Sequence, residues 1–259
     1  MASRARVIAY GETNVGMKRQ HNEDNYCLME DDHLYVVADG MGGHASGEVA
    51  SQMAIDTLGE FFRMTAADPE ATWPYKMDKS KGYEENRLIT GIKLANLRIY
   101  ETAQRDTRKR GMGTTIVGIL VVEDGVLIAH VGDSRVYRLR DGQLEQLTVD
   151  HSLLNDYIKM KNLTEEEIEN FQYKNVIVRA LGMKESVKVD TMLDRPHPGD
   201  IYVLCSDGLC GPASDEEIRE ITMTTPDLQA ACSQLIQRAN DAGGPDNITV
   251  ILAKVIGVG

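Results

Sequence analysis

The sequence predicts an α+β fold in which antiparallel sheets pack between layers of helices. Strand-like runs recur between Gly and Asp residues, and long amphipathic helical patterns come in pairs instead of alternating with single strands. Two of the turns between runs are Asp-Gly pairs, which favour tight hairpins. Strands and helices that are separated in this way are typical of layered α+β domains.

Ten short runs have the composition or the alternation of β-strands. The Asp-Gly pairs at 124–125 and 141–142 predict that the block from Thr114 to Leu147 is one antiparallel meander. The predicted strands are Arg6 to Tyr10, Tyr26 to Met29, Leu34 to Ala38, Thr114 to Val122, Val126 to Val131, Val136 to Arg140, Gln143 to Leu147, Val187 to Met192, Ile201 to Leu204 and Asn247 to Val255.

Four segments have helical periodicity or helix-start signals. Apolar residues repeat at the spacing of one helix face from Gly47 to Met64, and again from Leu88 to Ala103. Late in the chain, Ser214 and Glu217 form a capping-box pattern, and the apolar positions from Leu228 to Ala239 mark a further helix.

Composition and charge indicate one soluble domain over residues 1–259. The chain has 42% apolar residues and no linker or repeat, and its net charge of −12 disfavours nucleic acid and anionic membranes as partners. Its four cysteines lack C-x-x-C spacing, so we expect them to be reduced. The sequence has no signal-peptide pattern and no apolar run near the roughly 20 residues of a membrane span, so we expect a cytoplasmic protein.

Aspartates recur where strand-like runs meet loops. Asp39, Asp133 and Asp207 each follow an apolar run, and Asp246 follows a glycine-rich turn before the last run. Each alone has an ordinary explanation as a turn or capping residue. If the strands are neighbours, however, the carboxylates converge, and their mutual repulsion must be relieved by protons or by cations.

Oxygen ligands of this kind are those that Mg²⁺ and Mn²⁺ prefer, whereas zinc prefers His and Cys. The six histidines show no H-x-x-x-H spacing, which disfavours a zinc site. After Asp39, the lack of a side chain on Gly40 would let its backbone carbonyl approach an ion. The alternative for the glycines that follow Asp39 is a tight strand-to-helix turn.

Arg19, Glu23 and Asp24 lie upstream in the segment "RQHNED". The planar guanidinium of Arg19 suits bidentate binding of phosphate oxygens. The alternative is that Arg19 is an ordinary surface arginine and that Glu23 and Asp24 are a solvated pair.

Seven sequence motifs, which together cover about Ala9 to Leu252, resemble those of a known family. Their order and spacing resemble those of the metal-dependent (type 2C, or PPM) protein serine/threonine phosphatases, especially the bacterial form. The motifs are "RQHNED", "ADGMGGHASGEVAS", "GMGTTIVGIL", "HVGDSRVYRLRDGQLEQLTVDHS", "VIVRALG", "VLCSDGL" and "DNITVIL".

The resemblance implies a four-layer α-β-β-α sandwich with two central antiparallel sheets and a cleft that holds two Mn²⁺ or Mg²⁺ ions. Asp39 resembles the carboxylate that bridges both ions, with the Gly40 carbonyl on one of them. The other implied roles are as follows: Asp207 and Asp246 bind the other ion, Glu23 contacts a metal through water, Asp24 and Asn247 orient the ligands, and Asp133 with Asp207 holds a third, weaker ion.

The resemblance also implies hydrolysis of phosphoserine and phosphothreonine by a hydroxide that bridges the two ions, with Arg19 on the phosphoryl oxygens. Met41 stands where eukaryotic members carry a histidine after Asp-Gly, so the nearest candidate to touch substrate is His44. Its alternative is a structural role at a helix start. The segment Asp150 to Asn175 matches the position of the family's flap, and Thr164 with Glu167 predicts a short helix there.

The implied partners are phosphorylated proteins, namely serine/threonine kinases and their substrates, for a monomeric enzyme. One alternative is a pseudophosphatase that only binds phosphoproteins, which the intact Arg19, Asp39, Asp207 and Asp246 disfavour. A second alternative narrows the substrate to a phosphorylated anti-sigma-factor antagonist. The C-x₅-R spacing from Cys232 to Arg238 is discounted as a cysteine phosphatase site, because Cys232 lies on the apolar face of a predicted helix.

Overall fold

The computed structural model describes residues 4–42, 46–68, 70–161 and 176–258, together with residues 164, 167, 168, 171 and 173. The strands are β1 (Arg6–Asn14), β2 (Asp24–Met29), β3 (Leu34–Met41), β4 (Gly113–Thr114), β5 (Ile116–Val122), β6 (Gly125–Val131), β7 (Arg135–Arg140), β8 (Gln143–Gln146), β9 (Asp190–Asp194), β10 (Ile201–Cys205) and β11 (Ile248–Gly257). The helices are α1 (Ser46–Ala67), α2 (Tyr83–Arg105), α3 (Leu153–Lys161), α4 (Asp207–Cys210), α5 (Asp215–Thr224) and α6 (Leu228–Asp241), with a short 3-10 helix at Thr107–Lys109.

The strands form two antiparallel sheets. One has the order β1-β11-β10-β7-β8, and the other has the order β2-β3-β5-β6-β9 with β4 paired to β3. One apolar cluster fills the space between the two sheets. A second cluster joins the β2-to-β9 sheet to α1 and α2, and a third joins the other sheet to α5 and α6. The predicted four-layer α-β-β-α sandwich is therefore confirmed.

Strand alternation determines which side chains enter the space between the sheets. In β3, Leu34 and Val36 pack toward the helices, while Tyr35 and Val37 pack toward the opposite sheet. Because side chains alternate along a strand, Asp39 continues the face of Tyr35 and Val37. The carboxylate of Asp39 therefore points into the end of the inter-sheet space.

The meander predicted from Thr114 to Leu147 is wrong at its middle. The hairpins β5-β6 and β7-β8 both form, but they belong to different sheets. The chain crosses between the sheets after Val131, through Gly132 with a φ of 120°. On either side of the crossing the strands have different partners. In one sheet β6 pairs with β9, and in the other sheet β7 pairs with β10.

Other predicted elements differ from the structure mainly at their ends. The run from Val187 to Met192 pairs only from Asp190 onward, where it meets β6. The run from Thr114 to Val122 is divided because the N–H of Thr115 donates to the Asp39 carbonyl across the end of β3, at 2.8 Å. Within the described residues, no helix combines the length and the apolarity that crossing a membrane requires.

Candidate metal centre

Four strand ends meet at one edge of the sandwich. Val37 pairs with Val117 and Ile116 pairs with Val131, so β3 and β6 both end at this edge. On the other sheet, Cys205 at the end of β10 pairs with Val250 near the start of β11. The structure thus brings Asp39, Asp133, Asp207 and Asp246 to one place, as expected if the strands are neighbours.

Asp39 is partly buried among the other acids, at the end of β3. Burial raises the pKa of its carboxyl well above the ordinary value, and neighbouring carboxylates raise it further. These neighbours are Asp24, Asp207, Asp133 and Asp246. The side chain therefore lies where negative charge is concentrated and where a proton or a cation must compensate it.

Asp207 lies beside Asp39, within hydrogen-bonding reach of its carboxyl group. Burial raises the pKa of Asp207, and the charge of Asp246 raises it further. Asp207 begins α4 directly after β10, and the next residue, Gly208, lies so close to the Asn247 carbonyl that a Cβ would collide with it. This close approach holds the Asp207 segment against the start of β11.

Arg19 donates a hydrogen bond of 2.6 Å to a carboxylate oxygen of Asp246. The two side chains are 48% and 35% exposed, so the ion pair lies at the open side of the centre. Arg19 is thus not an isolated surface arginine but part of the acid cluster. Its guanidinium is held beside the predicted ligands and still faces solvent.

Asp24 lies deeper, between the sheets. Its Oδ2 accepts hydrogen bonds from Ser206 Oγ at 2.8 Å and from Thr249 Oγ1 at 2.7 Å. Burial raises the pKa of Asp24 to about 6, against the two hydrogen bonds, which lower it. The alternative of a solvated acidic pair is therefore wrong for Asp24, which joins β2 to both β10 and β11 behind the other acids.

Asn247 fixes the loop that contains Arg19 and Glu23. Its Oδ1 accepts from the Glu23 N–H at 2.8 Å, and its Nδ2 donates to the carbonyls of Val15 and His21 at 2.9 Å each. Glu23 in turn accepts from the Gly47 N–H at 3.1 Å through Oε1, at the start of α1. Both side chains therefore position backbone around the carboxylates.

Gly40 lies where no side chain fits. Its N–H donates to the Glu23 carbonyl at 3.1 Å. A Cβ at this position would lie 2.5 Å from that carbonyl oxygen and would also collide with the carbonyl of Gly47. The end of β3 can approach the Glu23 segment and the start of α1 this closely only because residue 40 is glycine.

Asp133 follows the crossing from β6 to β7. Burial, followed by the charge of Asp207, raises the pKa of its carboxyl to about 7. Its Oδ1 is buried and accepts no hydrogen bond from any residue within the described ranges. Asp133 and Asp207 line one polar cleft.

Comparison with known proteins shows the family to which this chain belongs. Residues 17–253 match the family model described as protein phosphatase 2C. The chain belongs to this family. It is 37% identical over 249 residues to the serine/threonine phosphatase Stp of Listeria monocytogenes serotype 4b (strain F2365), covering 93% of each chain.

Solved structures give the same result. The crystal structure of the Mycobacterium tuberculosis serine/threonine phosphatase PstP/Ppp is 34% identical with a TM-score of 0.83, covering 97% of this chain and 99% of that one. The catalytic domain of PstP in complex with two manganese ions is 34% identical with a TM-score of 0.78, with the same coverage. These relatives of the protein phosphatase 2C chain are serine/threonine phosphatases, and one of the structures contains two manganese ions.

The residues of this chain fit the metals of the protein phosphatase 2C family. The donors at the sheet edge are carboxylate and carbonyl oxygens, which suit Mn²⁺ and Mg²⁺. Independent evidence for a cation is the buried, unpartnered Oδ1 of Asp133. Buried polar atoms in proteins are normally hydrogen-bonded, and a carboxylate oxygen without such a partner fits the ligand set of a divalent cation.

Among the predicted features of the protein phosphatase 2C site, His44 lies outside the described residues, and the flap lies partly outside them. In the predicted flap, α3 occupies Leu153–Lys161, and Thr164 and Glu167 make the capping-box contacts, with the Glu167 N–H donating to Thr164 Oγ1 at 3.3 Å. The remaining flap residues lie outside the described part.

A group of side chains that sequence reasoning missed lies beside Asp133. The rings of His130 and His151 are stacked with centroids 4.5 Å apart, and Asp190 bonds to His151 Nε2 at 3.0 Å. His151 Nδ1 accepts from the Gly132 N–H at 3.0 Å, and Arg179 lies 3.1 Å from the Asp190 carboxylate. Because both ring nitrogens of His151 and the Nε2 of His130 are already bonded and a cation is adjacent, these residues support the corner before Asp133 and are not arranged as metal ligands.

Proposed function

We propose that this chain hydrolyses phosphoserine and phosphothreonine in proteins, using two Mn²⁺ or Mg²⁺ ions held at the end of the inter-sheet space. The observation that supports this proposal most strongly is the convergence of Asp39, Asp207 and Asp246, where burial, followed by mutual repulsion, raises the pKa of the first two. Such a cluster is unfavourable for folding and is explained by cations that neutralise it.

The proposed ligands of the two ions are Asp39, the Gly40 carbonyl, Asp207 and Asp246. Asp39 is central among them because four other carboxylates influence it. Asp133 and Asp207 line the cleft where a third, weaker ion is proposed. Glu23 contacts a metal only through water in this proposal, because its Oε1 already accepts from Gly47.

Two Mn²⁺ or Mg²⁺ ions held by these residues would supply a water of lowered pKa as the nucleophile for attack on phosphorus. Arg19 supplies the positive charge that the phosphoryl oxygens need, since its guanidinium is half-exposed at the mouth of the site. Asp24 and Asn247 hold the surrounding segments in register through Ser206, Thr249 and Glu23. No side chain of the chain has to become phosphorylated.

The proposed physiological targets are serine/threonine kinases and the proteins that they phosphorylate. We also propose that the protein acts as a monomer in the cytoplasm. Free cysteines support a reducing compartment, because Cys27, Cys205, Cys210 and Cys232 are all unpaired in the described part of the chain.

The test is Mn²⁺-dependent hydrolysis of p-nitrophenyl phosphate and of a phosphothreonine peptide. We expect activity with Mn²⁺, none after EDTA treatment, and a loss of at least about 10³-fold in kcat for Asp39→Asn and Asp246→Asn. Activity without added metal, or unchanged activity in both variants, would count against the assignment. Binding of Mn²⁺ without turnover by the wild-type chain would instead favour the pseudophosphatase.

A further inference from the structure

The loop that follows α2 is the most basic segment near the proposed site. Residues 105–110, "RDTRKR", contain Arg105, Arg108, Lys109 and Arg110 with only Asp106 as an acid. Four of the 28 basic residues of the chain thus lie within six positions, in a protein whose net charge is −12. A segment of positive charge on a protein of negative net charge attracts anions.

Two of these four cations are already paired. Arg105 binds Glu101 at 3.0 Å, and Arg108 binds Asp106 at 2.9 Å. Lys109 and Arg110 make no ion pair and no side-chain hydrogen bond with any residue within the ranges that the structure describes. Arg110 is exposed and Lys109 is partly exposed, so both charges are available to a ligand.

The loop is fixed beside the proposed site. Met41 pairs with Gly113 and Gly40 pairs with Thr114, at the end of β3 that contains Asp39. Ser46 Oγ, at the start of α1, donates to the Arg108 carbonyl at 3.4 Å. Arg110 precedes Gly113 by three residues, a backbone span of at most roughly 10 Å.

From Gly113 the chain runs two more residues to Thr115, whose N–H donates to the Asp39 carbonyl, so at most roughly 18 Å of backbone separates Arg110 from this contact. Two to four residues of an extended peptide cover roughly 7 to 14 Å, and the long side chains of Lys109 and Arg110 cover the remainder. Without local cations, the carboxylates of the centre would repel an acidic flank of the substrate.

We propose that Lys109 and Arg110 bind an anionic side chain, either a carboxylate or a second phosphate, that lies two to four residues from the phosphorylated residue of the substrate protein. The inference rests on the proposed phosphatase function and adds a substrate preference to it. It concerns residues outside the proposed metal ligands, so the two can be tested separately.

The experiment compares kcat/KM for three phosphothreonine peptides that have neutral, glutamate or phosphoserine residues at these flanking positions on both sides. In the wild-type protein with Mn²⁺ we expect both anionic peptides to be favoured about three- to tenfold, the size expected for a few exposed ion pairs. The preference should shrink in 0.5 M NaCl because salt screens exposed charges, at a Debye length of about 4 Å. The ratio between peptides within one variant is the readout.

In Lys109→Gln/Arg110→Gln, the ratio of anionic to neutral peptide is expected to fall to about one. The matched control is Lys76→Gln/Lys79→Gln, which removes two exposed lysines ahead of the opposite end of α2 and should keep the wild-type ratio. A preference for only one anionic peptide identifies whether carboxylate or phosphate is recognised.

Equal kcat/KM for all three peptides in the wild-type protein, or a ratio that persists in Lys109→Gln/Arg110→Gln, overturns the inference while leaving the phosphatase function intact. No Mn²⁺-dependent hydrolysis of any peptide by the wild-type protein would instead contradict the proposed function itself.

Discussion

Asp24 lies directly opposite Asp39 in the antiparallel pairing of β2 with β3. Like charges at facing positions of adjacent strands are destabilising, and burial increases that cost. The pKa of Asp24 is raised to about 6 and that of Asp39 is raised well above its ordinary value, in each case first by burial. The metal-free protein therefore has an unfavourable charge arrangement at the place where divalent ions would relieve it.

The first prediction follows from this arrangement. Asp39→Asn should increase the free energy of unfolding in EDTA at pH 7.5 by about 1–3 kcal/mol, because it removes a buried, repelled carboxylate. Urea unfolding measures the change, with Asp31→Asn, at an exposed position, as a control that should stay within about 0.5 kcal/mol of wild type. A marked destabilisation by Asp39→Asn would contradict the electrostatic account.

The second prediction concerns Arg19. Arg19→Ala should reduce kcat/KM for p-nitrophenyl phosphate by about 10- to 100-fold, because a charged group that stabilises the transition state is lost. The Mn²⁺ affinity should not fall, since Arg19 is a partner of Asp246 and not a proposed ligand. Kinetics and Mn²⁺ titration of the same preparation separate the two effects. A parallel loss of metal affinity would mean that Arg19 mainly maintains the structure of the site.

The third prediction is a pH dependence of stability caused by His151. Burial, followed by the charge of His130, lowers the pKa of His151 from 6.5 to about 4. The unfolded chain therefore binds a proton below about pH 6.5 that the folded chain excludes until about pH 4, so the contribution of His151 to stability falls as the pH is lowered through this window. After allowance for solvent screening, the loss is about 1–2 kcal/mol.

Urea unfolding of the wild-type protein and of His151→Gln at pH 7.5 and pH 5.0 isolates this contribution, because the carboxyls of the metal centre, whose raised pKa values act in the opposite direction, are present in both proteins. The stability of His151→Gln relative to wild type should be higher at pH 5.0 than at pH 7.5, whereas His197→Gln, at an exposed histidine, should show no such change. The interpretation fails if His151→Gln keeps the full pH dependence. The physical reason for the lowered pKa is geometric as well, because Nδ1 already accepts from the Gly132 N–H and cannot gain a proton without losing that bond.

The fourth prediction concerns Gly40. Gly40→Ala should destabilise the protein by about 2–4 kcal/mol, because its Cβ collides with two backbone carbonyls that cannot move away easily. Gly82→Ala is the matched control, since a Cβ there meets no atom within 4 Å. Thermal unfolding of both variants tests this. Equal melting temperatures would show that the end of β3 can relax.

Much of this arrangement could be predicted from sequence because its signals are local. The periodicity from Gly47 to Met64 lies within α1, and each strand that precedes Asp39, Asp133 or Asp207 was predicted from a short apolar run. Ordered motifs then allowed the four-layer fold to be predicted by resemblance. Once the ends of the apolar runs are identified, the sequence itself shows that these aspartates lie at strand ends.

The features that could not be predicted depend on distant pairing. The crossing after Val131 is decided by which strand edges β9 and β10 occupy, and neither edge is encoded near the crossing. Arg19 and Asp246 are 227 residues apart in sequence, so their ion pair had no local signal. His130, His151 and Asp190 likewise have no regular spacing. Asp190 meets His130 because β9 pairs with β6, and His151 joins them through its hydrogen bonds with Gly132.

The most direct test of the central claim is the number of Mn²⁺ ions bound per chain, measured by calorimetric titration of the metal-free protein. We expect at least two ions on the wild-type chain and the loss of at least one in both Asp39→Asn and Asp246→Asn. A wild-type chain that binds no Mn²⁺, or variants that bind the same number with the same affinity, would contradict the claim that these carboxylates converge to hold divalent ions.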